Sequence, residues 1–161
     1  MHVSELLRQH YRVSHFLTTT CAGVNRDLAN MAFYRGHIDR EEEDVLRLFD
    51  KARADGLLVS ERGFDAEHWR DLLVARRVVL IVLVDNRTLS CTECPACLKR
   101  NWLGCSFCGH YIVVVGWDGE RGAFAYRDPA SRAPMCWMRP RDFDRTRLCK
   151  GTDEDVVVVP F

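Results

Sequence analysis

The sequence lacks an excess of either charge: its 161 residues include 23 Lys+Arg and 23 Asp+Glu, a formal net charge of zero. Binding to phosphates of nucleic acids or anionic membranes needs a clustered excess of Lys and Arg, so this balance argues against both partners. The longest apolar run extends only from Val78 to Val84, far short of the roughly 20 residues that span a bilayer. The opening residues, MHVSELLRQHYR, lack the apolar stretch of a signal peptide. These absences predict a single intracellular domain, cytoplasmic or nuclear, with no nucleic-acid or membrane partner.

Two catalytic motifs are also missing. No serine lies in a Gly-x-Ser-x-Gly elbow, which argues against the α/β-hydrolase route to a nucleophile. No glycine-rich loop is present to bind phosphates. Any catalysis must therefore rest on titratable residues that the secondary structure brings together.

Hydrophobic periodicity predicts helices first and hairpin-connected strands afterwards. The run Val78–Val84 contains no polar residue, which indicates a central strand. This order predicts an α+β domain with a largely antiparallel sheet. The predicted helices follow Ser4, run from Asp39 to a stop at Gly56, and cover Ala66–Arg76 after an Asp65 cap; the predicted strands are Val13–Thr19, an edge segment Leu57–Val59, Val78–Val84, Tyr111–Trp117, Gly122–Tyr126 and Val156–Val159.

A histidine and an aspartate flank the predicted hairpin. His110 precedes one strand, and Asp128-Pro129 follows the next. If Gly119 is the centre of the turn, antiparallel pairing places His110 directly opposite Asp128, with Cβ atoms about 5 Å apart. A carboxylate there can accept from one imidazole nitrogen and leave the other free as a base. A shift of register by one residue would separate the pair, and the residues alone fit a hydrogen-bonded strand histidine equally well.

A base of this kind needs a nucleophile, and the sequence offers poor candidates. Cys108 lies two positions before His110 on the same segment, where it cannot readily attack a substrate held between them. Cys21 lies in a polar loop with no helix immediately after it to lower its pKa, so a structural role is expected there.

Five of the eight cysteines lie between positions 91 and 108. Cys91-x2-Cys94 and Cys105-x2-Cys108 form two knuckles, and Cys97 lies between them. Four thiolates at this spacing suit a tetrahedral structural zinc ion, which would order the segment that leads to His110. We predict zinc bound by Cys91, Cys94, Cys105 and Cys108, set in a Cys-rich loop insertion.

Other interpretations of the cysteine cluster remain open. The thiols could be free, or they could serve disulfide or redox chemistry, although a reducing compartment favours metal. His110 could complete a Cys₃His site, which would abolish its role as a base. Cys136 and Cys149 have no C-x2-C partner in the sequence.

Several segments together resemble the guanylyl cyclase domain-containing family. They are Gly109–Trp117 (GHYIVVVGW), Asp128-Pro129-Ala130, Met135-Cys136 and Gly151–Asp155 (GTDED), with Phe33-Tyr34-Arg35-x-His37 upstream. The resemblance covers nearly the whole chain.

The resemblance implies a papain-like cysteine-peptidase-type fold, similar to bacteriocin-leader-processing peptidases. It implies that His110 is the general base and Asp128 its orienting residue. The family's Trp-Asp-Cys-Gly segment, which supplies the nucleophile, has no counterpart in this sequence. The expectation is therefore one domain over residues 1–161 that lacks the nucleophile helix and does not turn over peptides by itself.

Two further functions are compatible with these features. The family name implies cyclisation of GTP to cyclic GMP, for which Asp153 and Asp155 could share a metal ion, although the residues themselves favour a solvated acidic turn before the last strand. A zinc-stabilised interaction module without catalysis is the other alternative. The expected partner in either case is a protein or peptide whose identity the sequence does not reveal.

Overall fold

A computed structural model describes residues 15–23, 38–75, 77–94 and 107–161. The described residues form an α+β domain of three helices and seven strands. In chain order these are β1 (Phe16–Thr19), α1 (Ile38–Ala54), β2 (Leu58–Glu61), α2 (Ala66–Ala75), β3 (Val78–Asp85), β4 (Gly109–Asp118), β5 (Ala123–Arg127), β6 (Cys136–Met138), α3 (Pro140–Arg147) and β7 (Val156–Pro160).

All seven strands belong to one sheet, in the order β2-β1-β7-β3-β4-β5-β6. The β1–β2 pair is parallel and every other neighbouring pair is antiparallel. The predicted α+β class with a largely antiparallel sheet is therefore confirmed, and the sheet as a whole is mixed. The apolar run from Val78 forms the middle strand, as predicted.

Helices cover both faces of the sheet. Successive residues of a strand point to opposite faces, so Leu80 and Val82 pack with Trp69 of α2 and Phe143 of α3 in the larger core. The opposite face carries a smaller core in which Phe49 of α1 meets β1 and β7. No helix within the described ranges is both long and apolar enough to cross a membrane.

Two predicted helix boundaries are confirmed by their hydrogen bonds. Gly56 adopts a φ of 84°, its N–H donates to Arg53, and the N–H of Leu57 donates to Ala52. This is the Schellman pattern that ends a helix at glycine. At the start of α2, the Asp65 carboxylate accepts from the backbone N–H of His68 at 2.8 Å, as an N-cap does.

Two elements were not predicted. Strand β6 has only three residues, too few for periodicity to reveal it. Helix α3 follows it directly and begins at Pro140, whose fixed φ suits a first helical position. The predicted helix after Ser4, the first two residues of the predicted strand Val13–Thr19, and Arg76 lie outside the described residues.

The β4–β5 hairpin has a different register from the predicted one. Asp118 pairs with Ala123 and Val113 pairs with Arg127, with a bulge between Val114 and Gly116. The reason lies in the turn, where the Asp118 carboxylate accepts from the backbone N–H groups of residues 120 and 121. These bonds widen the loop to residues 119–122, so Gly119 is not its centre. His110 is consequently not directly opposite Asp128, and the predicted register was wrong.

Candidate functional site

One edge of the sheet contains the side chains that could take part in catalysis or metal binding. We call it the site edge: the end at which β1, β3 and β5 finish and β4, β6 and β7 begin. The register places Asp85 beside Gly109 there, and Thr18 beside Val156. Asp128 follows the last residue of β5, and Cys136 opens β6. Strand polarity therefore brings together side chains that are far apart in the sequence.

His110 and Asp128 are in direct contact at the site edge. The distance from His110 Nε2 to Asp128 Oδ1 is 2.8 Å. The Asp128 side chain is 2% exposed and the His110 side chain 17%. Because Val113 pairs with Arg127, Asp128 lies diagonally across from His110, and diagonal residues on one face remain within reach of long side chains. The predicted contact is thus present in an unpredicted register.

The Asp128 carboxylate is held in place by the turn that follows it. Oδ1 of the carboxylate accepts from the Ala130 N–H at 2.8 Å, and the backbone carbonyl of Asp128 accepts from the Ser131 N–H at 2.9 Å. An ionised carboxylate only accepts hydrogen bonds, so its contact with Nε2 favours the tautomer that carries the proton there. Nδ1 of His110 is then the proton-accepting nitrogen.

Asp85 fixes the chain immediately before His110. Its side chain is fully buried and pairs with Arg87, whose Nε lies 3.0 and 2.9 Å from the two carboxylate oxygens. The same carboxylate accepts from the Cys108 N–H at 3.4 Å. Burial opposes ionisation, but the bonds from Arg87 hold the pKa of Asp85 below its ordinary value. A permanent buried charge therefore anchors the segment that leads into β4.

Three thiols meet beside β6. The sulfur atoms of Cys91, Cys94 and Cys136 all lie within 4.8 Å of one another, close enough to bind one metal ion. Cys91 is 2% exposed and Cys136 is fully buried. Burial opposes ionisation of Cys91, but backbone N–H donors, chiefly that of Trp137, lower the pKa of this thiol below its ordinary value.

At the other end of the site edge, a thiol lies among acids. Burial raises the pKa of Cys21, and Asp153 and Asp155 raise it further. The pKa of Asp155 itself rises to about 7, through burial and the nearby Asp153, although Thr19 donates a hydrogen bond to the carboxylate. Asp153 lies in a turn at φ 47°, not in an extended strand. Cys21 is therefore a poor nucleophile.

Comparison with known proteins assigns the sequence to a family. A profile described as guanylylate cyclase matches residues 3–159, nearly the whole chain. The chain belongs to the guanylylate cyclase family. A relative named guanylyl cyclase 1, from Arabidopsis thaliana, is 28% identical over 155 residues, which cover 95% of this chain and 57% of that protein. No solved structure matches the chain.

Within this guanylylate cyclase-family domain, the predicted zinc ligands do not all meet. Cys91 and Cys94 lie together, but Cys136 is the third thiol of their cluster, not Cys108. Cys105 and Cys97 lie outside the described residues, so Cys105 as a ligand stays a prediction. Sequence reasoning missed Cys136 because Cys91 and Cys94 lie in the loop after β3, far from Cys136 in the sequence. Only the pairing of β6 with β5 brings the three together.

Proposed function

We propose that this domain supplies two members of the machinery for thiol-dependent hydrolysis or acyl transfer on a peptide-like substrate, with His110 as general base and Asp128 as the orienting residue. The observation that carries the proposal is the 2.8 Å contact between His110 Nε2 and the buried carboxylate of Asp128. That contact leaves Nδ1 to accept a proton from a thiol. The resemblance to papain-like peptidases supports the same two roles.

The thiol that His110 would activate lies, in this proposal, outside the described residues. Cys21 follows β1, and β7 and β3 separate β1 from β4. Three strand spacings amount to about 14 Å, too far for proton transfer to His110. The Cys149 thiol is already engaged as well, because it donates a hydrogen bond to the Arg145 carbonyl at 3.0 Å. We therefore expect no peptide turnover from the described residues by themselves.

The test uses a natural full-length protein that contains this domain. The protein is treated with iodoacetamide, and the labelling rate of every cysteine is measured by peptide mapping. We expect one cysteine whose rate falls about 100-fold in H110Q, because a positioned base contributes on this scale. D128N should slow the same cysteine, and His68→Gln, on the exposed side of α2, should not. The absence of any cysteine with a His110-dependent rate would refute the thiol mechanism.

Cyclisation of GTP is the second candidate, and it is supported by the family description and by the relative's name. Such chemistry needs carboxylates that hold metal ions, and Asp153 and Asp155 at the site edge are the available pair. Cyclic GMP formed from GTP with Mg²⁺ or Mn²⁺ is measured by mass spectrometry. A cyclase should lose this product in D153N and D155N and keep it in H110Q.

A third outcome distinguishes catalysis from binding. If neither a His110-dependent thiol nor cyclic GMP is found, the domain is an interaction module that binds a protein or peptide partner. A pull-down that retains the same partner with the wild-type domain and with H110Q would support that function.

A further inference from the structure

We propose that Cys91, Cys94 and Cys136 are ligands of one zinc ion, which joins the loop after β3 to strand β6. This inference does not depend on the proposed catalytic function. It rests on sulfur geometry, on backbone donors and on the burial of Cys91 and Cys136.

The sulfur geometry fits a tetrahedral metal site. Metal–sulfur bonds of about 2.3 Å in a tetrahedron place neighbouring sulfurs about 3.8 Å apart. The Sγ atoms of Cys94 and Cys136 are 3.7 Å apart, and Cys91 lies within 4.8 Å of both. A disulfide needs about 2.05 Å, and none of the three cysteines forms one. The spacing is therefore that of co-ligands.

The backbone around the cluster is already arranged for thiolates. The N–H of Trp137 points at Cys91 Sγ at 3.5 Å. The loop is fixed to β6 by the bond from the Thr92 N–H to the Trp137 carbonyl at 2.8 Å, and to β5 by the bond from the Tyr126 hydroxyl to the Ser90 carbonyl at 2.8 Å. Little rearrangement would be required when a metal binds.

Burial makes a metal the natural partner of these thiolates. Cys91 and Cys136 are almost completely shielded from solvent, and buried charges need pairing or metal coordination. Soft thiolates in a tetrahedral arrangement select zinc or iron–sulfur clusters. Sulfurs that lie within 4.8 Å of one another suit a single ion better than a cluster of several irons, which favours zinc.

A zinc ion at this position would constrain the candidate active site. The loop between β5 and β6 begins at Asp128, which is bonded to His110, and ends at Cys136. Zinc would hold the second end of that loop while His110 meets the first. Metal occupancy should therefore influence how firmly Asp128 is oriented.

Zinc content tests the site directly. The full chain is produced in zinc-supplemented medium, desalted and analysed by mass spectrometry of metals. We expect about one zinc ion per chain in the wild type, and less than a tenth of that in C136S. C149S is the matched control, because Cys149 is also partly buried and lies outside the thiol cluster, and it should retain its zinc.

A second measurement keeps the test decisive if C136S fails to fold. X-ray absorption of the zinc-loaded wild type should show three or more sulfur atoms in the first shell at about 2.3 Å. Cobalt substitution should give the thiolate charge-transfer bands of a tetrahedral site. Zinc-free protein whose three thiols react equally fast with and without added zinc would overturn the proposal. Iron in place of zinc, or a shell of nitrogen and oxygen, would overturn it as well.

Discussion

The two ends of the site edge contain cysteine and aspartate in opposite surroundings. Beside β6, N–H donors lower the pKa of Cys91, and Asp128 pairs with an imidazole. Beside β1, burial and acidic neighbours raise the pKa of Cys21, and Asp155 titrates near 7. The pKa of a thiol or carboxyl group is thus lowered where hydrogen-bond donors face it and raised where burial or neighbouring carboxylates dominate.

The difference follows from how each loop uses its backbone. Around Cys91, N–H groups point toward the side chains. Around Asp153 the chain turns so that its carbonyl accepts from Thr20 N–H at 2.7 Å and from Thr20 Oγ1 at 2.9 Å, while the carboxylates stay close together. Several backbone N–H groups thus face the Cys91 thiol, whereas carboxylates lie beside the Cys21 thiol.

The acidic end of the site edge, which contains Asp153 and Asp155, should be destabilised most by the removal of Arg147. Its guanidinium is 1% exposed and bonds to Asp144 at 2.8 Å and to the Phe64 carbonyl, with Glu154 at 3.5 Å. Arg147→Met should lower the free energy of unfolding by about 3 kcal/mol, because the partly buried carboxylates of Asp144 and Glu154 and the Phe64 carbonyl all lose their buried partner. Urea unfolding measures this.

The matched control for that prediction lies on the same helix. Arg145 is 55% exposed and pairs with Asp142, so Arg145→Met should cost about 0.5 kcal/mol, as exposed ion pairs do. Equal losses in the two variants would contradict the assigned role of Arg147.

Gly151→Ala tests a contact between the two ends. Gly151 has a φ of 105°, and a Cβ atom there would lie 3.0 Å from the ring of Phe107. The added methyl group would strain the backbone and push against the segment that leads to His110, so we expect a loss of about 2 kcal/mol. Gly119→Ala, where a Cβ atom meets nothing within 4 Å, should be nearly neutral in the same urea unfolding assay.

The pH dependence of stability should identify Asp155. Its folded pKa of about 7 lies above the ordinary 3.8, so the folded state favours the protonated form. That contribution to stability is complete below about pH 4 and is lost as the pH rises through 7. Asp155→Asn stays neutral, so its melting temperature should exceed that of the wild type by several degrees at pH 8, where about 2–4 °C corresponds to 1 kcal/mol.

This experiment has two controls: a measurement at pH 4, and a variant of an aspartate elsewhere in the chain. At pH 4 the wild type and Asp155→Asn should melt together, and Asp71→Asn, on the exposed side of α2, should follow the wild type at both pH values. A constant difference between wild type and Asp155→Asn from pH 4 to 8 would show that the carboxyl is not titrating.

Local signals predicted the frame of this molecule well. The apolar run from Val78, the stop at Gly56 and the cap at Asp65 depend on neighbours in the chain, and the structure contains all three. The His110–Asp128 contact was also predicted, although the register was not, because a side-chain bond in the turn at Asp118 widens the hairpin loop. Diagonal reach within one face of the sheet preserved the contact.

Long-range signals were less accessible. Cys136 meets Cys91 and Cys94 only because β6 joins the sheet beside β5, and nothing at the sequence level announces a three-residue strand. The raised pKa of Asp155 likewise depends on burial that spacing does not encode. The apolar run Met135-Cys136-Trp137-Met138 is too short to distinguish a strand from other buried structure.

The smallest expected effect concerns the reactivity of Cys21. Because the thiolate is the nucleophile and Asp153 raises the pKa of Cys21, Asp153→Asn should increase its rate of alkylation at pH 8 by about twofold. Burial, the larger cause, is unchanged by this variant, which limits the gain. Peptide mapping after brief iodoacetamide treatment measures the rate, with Asp71→Asn as the unaffected control. If the rate does not change, burial alone suppresses Cys21, and the contrast between the two ends reduces to solvent exclusion at one and N–H donors at the other.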